Sequence, residues 1–464
     1  MNKFLFSEFD PVSAKQWKQK IQVDLNGADY NNTLVWQSAE GINVKPFYHA
    51  EDAKSAPKPV PGHPNQWSIA QDVFIDDESI ANNLMLDAIK RGAEAIIITS
   101  EKEFNIADSL LNFPFKNVPI YFTLKFISEP FITQLIEYLT KQQATAFYNI
   151  DIIGNLVSTG NWFSNLKSDH DIVGRFLRKN DSENILSVDT CVYQNAGANI
   201  TQQLAYAIAQ ATEYLNHYTS ASKNEGIRSA LKMTFQVSVG SNYFFEIAKI
   251  RALRKLYALI AKEFHVPQTC HIVARPTKRN KTIYDYNINM LRTTTECMSA
   301  VLGGADTICN LPYDALYHKS NEFGERISRN QLLILKAESY FDAVSNPTDG
   351  SYYIESLTSE LAKKALEVFK EIEAGGGFLS QLKEGIILRK IKESASKEQH
   401  LFDEGKLVLL GTNKHINDQD KMKNDLELYP FVKTNVRKTL IQPIIERRLS
   451  EKTEQTRLEN ESIL

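Results

Sequence analysis

Eight short apolar runs, each followed by helical sequence, constrain this chain more than any other feature. They fall at 67–73, 95–99, 119–126, 147–153, 185–189, 233–239, 271–274 and 307–310. Runs such as Ile96-Ile97-Ile98 lack polar alternation, as expected for parallel strands covered by helices. The intervening segments are long enough for crossover helices. Eight such units predict an α/β fold, a (β/α)8 TIM barrel. The last unit shows the pattern most fully. Ile288, Leu291, Met298, Val301 and Leu302 keep near-helical spacing, and Gly303-Gly304 supplies a helix stop. Strand 307–310 follows, and a second helix is expected over 325–338.

Segments 1–66 and 346–464 do not share this alternation. The first reads as an arm: a short amphipathic helix over 13–23, then a loop with Pro57, Pro59, Pro61 and Pro64. Such proline density favours an extended connector. The arm carries Trp17, Trp36, Phe47 and Tyr48 without an evident core, so it must pack on the body or on a partner. Residues 67–345 form the barrel. Residues 346–464 form a mainly helical extension, with breaks at Pro347–Gly350 and Gly375–Gly377, an extra strand at 407–410 and a surface helix in the tail from Pro443.

Composition narrows the function classes. The chain has 464 residues, 43% of them hydrophobic and 23% charged, with a net charge of −3. Near-neutral charge argues against an electrostatic grip on nucleic acid or anionic membranes. No apolar run approaches the ~20 residues that span a bilayer, and the start lacks a secretory pattern. Four cysteines without CxxC spacing fit reduced thiols in a cytoplasm.

Motifs for chemistry are scarce. The sequence has no GxGxxG, P-loop, HExxH or GxSxG pattern. Gly240-Ser241 precedes a helix, with Ser241 or Asn242 read as a plain N-cap. Asp169-His170-Asp171 is read as a solvated loop, since no second ligand pair accompanies it. His271 opens a strand with Arg275 behind it. Arg275, Lys278, Arg279 and Lys281 form a basic cluster, read as a solvated charge run. Strand 233–239 alternates Thr234, Gln236, Ser238 with Phe235, Val237, Val239, and the sequence leaves open which set faces inward.

Four ordered blocks carry a family resemblance. RTTTECMSAVLGGADTI from Arg292, SNYFFEIAKIRALRKLYALI from Ser241, AGANITQQLAYAIAQATEYL from Ala196 and NPTDGSYYIESLTSEL from Asn346 resemble blocks of the methylmalonyl-CoA mutases. The resemblance implies a (β/α)8 substrate barrel. It also marks departures. The family's Tyr-His pair before AGAN falls on Cys191 and Val192, and a strand-end His falls on Cys309. An Arg and a Tyr near the first strand become Ala70 and Asp72, and a pocket-lining segment becomes 272–278. The family's cobalt-ligating DxHxxG pattern has only a misspaced likeness at 168–174, and after the tail no room remains for a cobalamin-binding domain.

The resemblance therefore implies a small subunit without catalytic, cofactor-binding or metal residues of its own. Cys191, Val192, Cys309 and Ala70 would be degenerate site positions. Adenosylcobalamin and the acyl-CoA substrate would sit on a large catalytic partner in a cytoplasmic heterodimer that interconverts succinyl-CoA and methylmalonyl-CoA. One rival expectation is an active acyl-CoA mutase subunit served by a separate cobalamin protein, with Tyr193 or His271 replacing the lost His. Another is a regulatory partner of a mutase.

Overall fold

The computed structural model describes residues 8–52, 58–179, 184–220, 228–229, 231–433 and 436–461. Pro57 lies outside the described residues. Eight parallel strands close into a barrel: β1 Ser68–Phe74, β2 Ala95–Ser100, β3 Ile120–Leu124, β4 Ala146–Ile150, β5 Asn184–Asp189, β6 Met233–Val239, β7 Cys270–Pro276 and β8 Thr307–Cys309. Neighbours in sequence are neighbours in the sheet, and β8 closes the ring between β7 and β1. All eight runs expected from the sequence are barrel strands.

The helices follow from local chemistry. Helix α1, Ala14–Asp24, starts at a Ser13–Gln16 capping box and buries none of its residues. Helix α2, Glu78–Lys90, is capped by Asp77, and α3, Glu129–Lys141, by Ser128. Helix α4 spans Leu166–Lys179, α5 Ile200–Ser220, α6 Tyr243–Phe264 and α7 Ile288–Gly303. Helix α7 stops at Gly304, whose φ of +86° suits a residue without a side chain. A Cβ at Gly304 would also lie 2.4 Å from His63 Nε2. Helix α8, Glu322–Leu333, continues as a π-turn through Glu338. Beyond the barrel lie α9 Tyr352–Ala374, α10 Ile386–Asp403 and α11 Glu451–Asn460.

Two apolar layers form. Ile96, Ile98, Phe122, Phe235, Val237 and Ile272 point outward into the continuous core beneath the helices. Ala70, Ala95, Ile97, Tyr121, Phe147, Val273 and Cys309 form a separate cluster inside the barrel. The N-terminal arm joins the outer core through Ile42 and Val44, and Trp36 meets Phe245 edge-on at 5.7 Å. Trp17 and Trp36 stay half exposed.

Several expectations need correction. No strand forms at 407–410, where a single bridge joins Leu410 to Lys414. The segment Asp169-His170-Asp171 is helical, within α4: Asn165 Oδ1 caps the helix start by accepting the Ser168 amide at 2.9 Å, and Asp169 accepts the preceding Phe163 and Ser164 amides at 2.9 and 3.1 Å. The basic cluster is not uniformly solvated: Arg279 pairs with Glu398 at 2.5 Å, and buried Lys281 with Glu296 at 2.7 Å. The tail is tied down rather than superficial, since Glu454 accepts the Ile283 amide at 3.0 Å and pairs with Arg448 at 2.5 Å. Asn242 makes no side-chain cap for α6; Glu246, in the first turn, accepts the Gly240 amide at 2.8 Å instead.

Closure is locked by Arg254, which is fully buried. Its guanidinium donates to Gly304 O (2.7 and 3.1 Å), Cys270 O (2.8 Å) and Asp306 Oδ2 (2.6 Å). The same Asp306 oxygen accepts the Ile272 amide at 2.6 Å. Arg254→Met strands a carboxylate and two carbonyls, so the unfolding free energy should fall by about 3–5 kcal/mol, read from the urea midpoint.

Candidate functional site

Strand register decides which side chains enter the barrel. Gln236 lies beside Val273, and Val273 belongs to the interior cluster. Thr234, Gln236 and Ser238 therefore face inward, and Phe235, Val237 and Val239 pack under the helices. The same alternation brings Asp72, Thr99, Thr123, Asn149, Asp189, Ser238 and Arg275 to the C-terminal mouth, where barrel enzymes place their chemistry.

The opposite end is filled. Tyr121 stacks on Phe147 with centroids 4.4 Å apart, and its hydroxyl lies 3.0 Å from His271 Nε2 and 2.9 Å from Thr307 Oγ1. His271 thus belongs to the N-terminal plug, and burial holds its pKa below the ordinary range. Tyr193, the other candidate for replacing the lost His, is fully buried and donates to Gln210 Oε1 at 2.6 Å. Neither stands at the mouth.

At the mouth, Arg275 on β7 and Asp72 on β1 form an ion pair over the short strand β8 that separates them. Both residues are departures from the family pattern, 203 positions apart, and each explains the other. Cys309 lies in strand register with Ala70. Burial, with Asp72 adding to it, pushes the Cys309 thiol well up. Burial and Asp189 do the same for Cys191, whose amide donates to Asp189 Oδ1 at 2.9 Å. Val192 lines the adjoining cavity. These side chains leave no thiolate or free imidazole at the mouth.

That cavity, about 790 Å³, opens beside the barrel axis. The strand ends of β3 to β6 form its floor, and residues 432–446 cover it, apart from 434–435, which are outside the described residues. Asp151 accepts from the amides of Gly154 and Asp189, from Gln210 and from the Tyr214 hydroxyl, at 2.6 to 3.0 Å. Burial nevertheless pushes its pKa up to about 6. Asn149 sits at a φ of +46°, uncommon for a residue with a side chain and often found near functional sites. Sequence reasoning missed Asn149, Asp151, Asp189 and Gln236. Their strand-end position was the available signal.

His170 is unsuited to bind cobalt. Its ring stacks on His217 at 4.0 Å, and Nδ1 lies 3.1 Å from the Tyr218 hydroxyl. Among the described residues, no group of three or more His, Cys, Asp or Glu is arranged to hold a metal. His170, packed in this way, does not fit a corrin's lower axial site.

Comparison with known proteins agrees with this architecture. The methylmalonyl-CoA mutase family pattern matches residues 92–460, so the chain belongs to that family. A Porphyromonas gingivalis protein named methylmalonyl-CoA mutase small subunit is 34% identical, over 89% of this chain and 71% of its own. A Streptomyces virginiae small subunit is 28% identical, over 82% and 67%. The mitochondrial methylmalonyl-CoA mutase of Homo sapiens is 25% identical, over 92% of this chain and 64% of that protein. Within the family, the chain is thus similar to proteins named small subunits, and it spans less than two thirds of the mitochondrial mutase.

Two outcomes follow. Burial, then His217, holds the His170 pKa down at about 4, against an ordinary 6.5. A lowered histidine contributes stability that is complete above pH 6.5 and lost as the pH falls toward 4. The stability gap between the wild type and His170→Gln should therefore narrow by about 3 kcal/mol across that window, read by urea unfolding at several pH values. Burial also pushes the Cys270 thiol up to about 12, and those of Cys297, Cys191 and Cys309 well above their ordinary range. All four should react slowly with a disulfide reagent in the folded chain and rapidly in guanidinium chloride.

Proposed function

We propose that this chain is the small, non-catalytic subunit of an adenosylcobalamin-dependent methylmalonyl-CoA mutase, an isomerase. A larger partner would bind cofactor and acyl-CoA and carry out the isomerisation in a cytoplasmic heterodimer. The observation that carries this reading is the Arg275–Asp72 ion pair at the barrel mouth. Asp72 is engaged by Arg275 rather than free to meet a substrate, and Ala70, Val192, Cys191 and Cys309 offer no polar group in its place. Below it, the stacked Tyr121, Phe147 and His271 rings occupy the N-terminal end of the barrel interior.

The contribution of such a chain is surface. Helix α1 presents a half-exposed Trp17 and no buried residue, and Val23 is also exposed. Aromatic anchors of this kind dominate protein interfaces. In this reading residues 1–66 are the partner-contacting arm, 67–345 the barrel and 346–464 the helical extension.

Light scattering after size exclusion, on the chain alone and mixed with the large subunit, tests the assignment. A one-to-one complex should form, and isomerase activity should require the large chain. Trp17→Asp should weaken the complex by about 2 kcal/mol while leaving the melting temperature of the isolated chain unchanged. Turnover by this chain with only a small cobalamin-binding protein would overturn the reading.

A further inference from the structure

The mouth cavity has features that a purely structural subunit does not need. Its polar groups are sorted by depth. Thr123, Asn149, Asp189 and Gln236, one from each of β3 to β6, stand at the floor and are buried or half-buried. Thr123 Oγ1 and Asn149 Oδ1 are out of solvent and have no hydrogen-bond partner among the described residues. An unpaired buried polar atom is costly, and a bound group that pairs with it recovers that cost.

The rim is charged, with three basic residues alongside the exposed Glu446, whose Oε1 accepts from Asn195 Nδ2 at 3.1 Å. Lys125, Lys433 and Arg437 are exposed there and have no carboxylate partner among the described residues. Arg437 donates only to the Thr159 carbonyl, at 2.8 Å. Apolar side chains also line the cavity: Phe126, Ile132 and Phe163 on the barrel side, Ile444 and the half-exposed Ile445 on the covering segment. A volume of about 790 Å³ is that of a small-molecule site rather than a packing defect.

We propose that this cavity binds a small organic anion whose far end carries hydrogen-bond donors. The anionic end would lie among Lys125, Lys433 and Arg437. The body would pass between Phe126 and Ile444, and the donor-bearing head would meet Asn149 Oδ1, Asp189 and Gln236. Two sources share this chemistry: a nucleoside monophosphate, with a base amine and a phosphate, and an amphipathic amino acid, with an ammonium and a carboxylate. The site lies beside the plugged axis, so the inference does not depend on the subunit assignment.

Calorimetric titration of the full chain with adenosine 5′-monophosphate, 8-aminooctanoate and octanoate tests it. One of the first two should bind at one per chain, and which one does identifies the source. Octanoate, which has the anion and apolar body without the donor head, should bind at least about tenfold more weakly. Arg437→Glu, an exposed change outside the core, should weaken binding by at least about tenfold with no shift in melting temperature. Asp189→Asn should weaken the donor-bearing probe while leaving octanoate unchanged. The proposal is overturned if neither donor-bearing probe binds at millimolar concentration, if octanoate binds equally well, or if Arg437→Glu has no effect.

Discussion

The architecture depends on closing a ring of parallel strands with a final strand only three residues long. Thr307–Cys309 is paired with β1 on one side and β7 on the other. So short a ladder offers few backbone hydrogen bonds, and the junction is reinforced from outside by Arg254 and Asp306. The guanidinium ties the end of α7 to the start of β7, and the aspartate holds the β7 backbone to the β8 approach. A planar donor with a fixed fork suits this task, because it satisfies two carbonyls and a carboxylate at once. Gly304 is required there for the same reason: the chain must turn with positive φ against His63.

Closure also creates an interior that the helices never touch. The outer faces of the strands are mostly apolar and pack under helices, Gln71 on β1 being a polar exception that accepts from Arg329; the inner face mixes aromatic, small and polar side chains. At the N-terminal end the inner face is filled by stacked rings and a Tyr–His–Thr hydrogen-bond cluster. At the C-terminal end it is polar, with Asp72 spent on Arg275 while Arg275 Nε and Ser238 Oγ stay unpaired among the described residues. Toward β3–β6 it is open, and there the covering segment makes a cavity. One barrel thus carries a closed axis and an open flank.

Much of this was legible in the sequence. Continuous apolar runs bounded by helical periodicity located all eight strands, since a strand covered on its outer face has little need for polar alternation. The Gly303-Gly304 stop and the Ser13 start were readable because caps are local. The errors have different causes. Asp169-His170-Asp171 looked like a polar loop although the Phe163 and Ser164 amides that Asp169 accepts are only six and five residues away. Arg279 and Lys281 looked like solvated charge because their partners Glu398 and Glu296 are brought to them by the fold.

The departures from the family pattern show the same division most sharply. Sequence alone marked Ala70, Asp72, Cys191, Val192 and Cys309 as altered, and the basic residue Arg275 as lying near the mouth. It determined the strands, the barrel and the kinship, because those rest on periodicity and local signals repeated along the chain. Tertiary structure alone decided that Thr234, Gln236 and Ser238 face inward and that Asp72 and Arg275 neutralise each other. It alone placed residues 432–433 and 436–446 over the ends of β3–β6. Inward facing depends on register between neighbouring strands, and ion pairing depends on distance in space. Neither quantity is encoded by proximity along the chain.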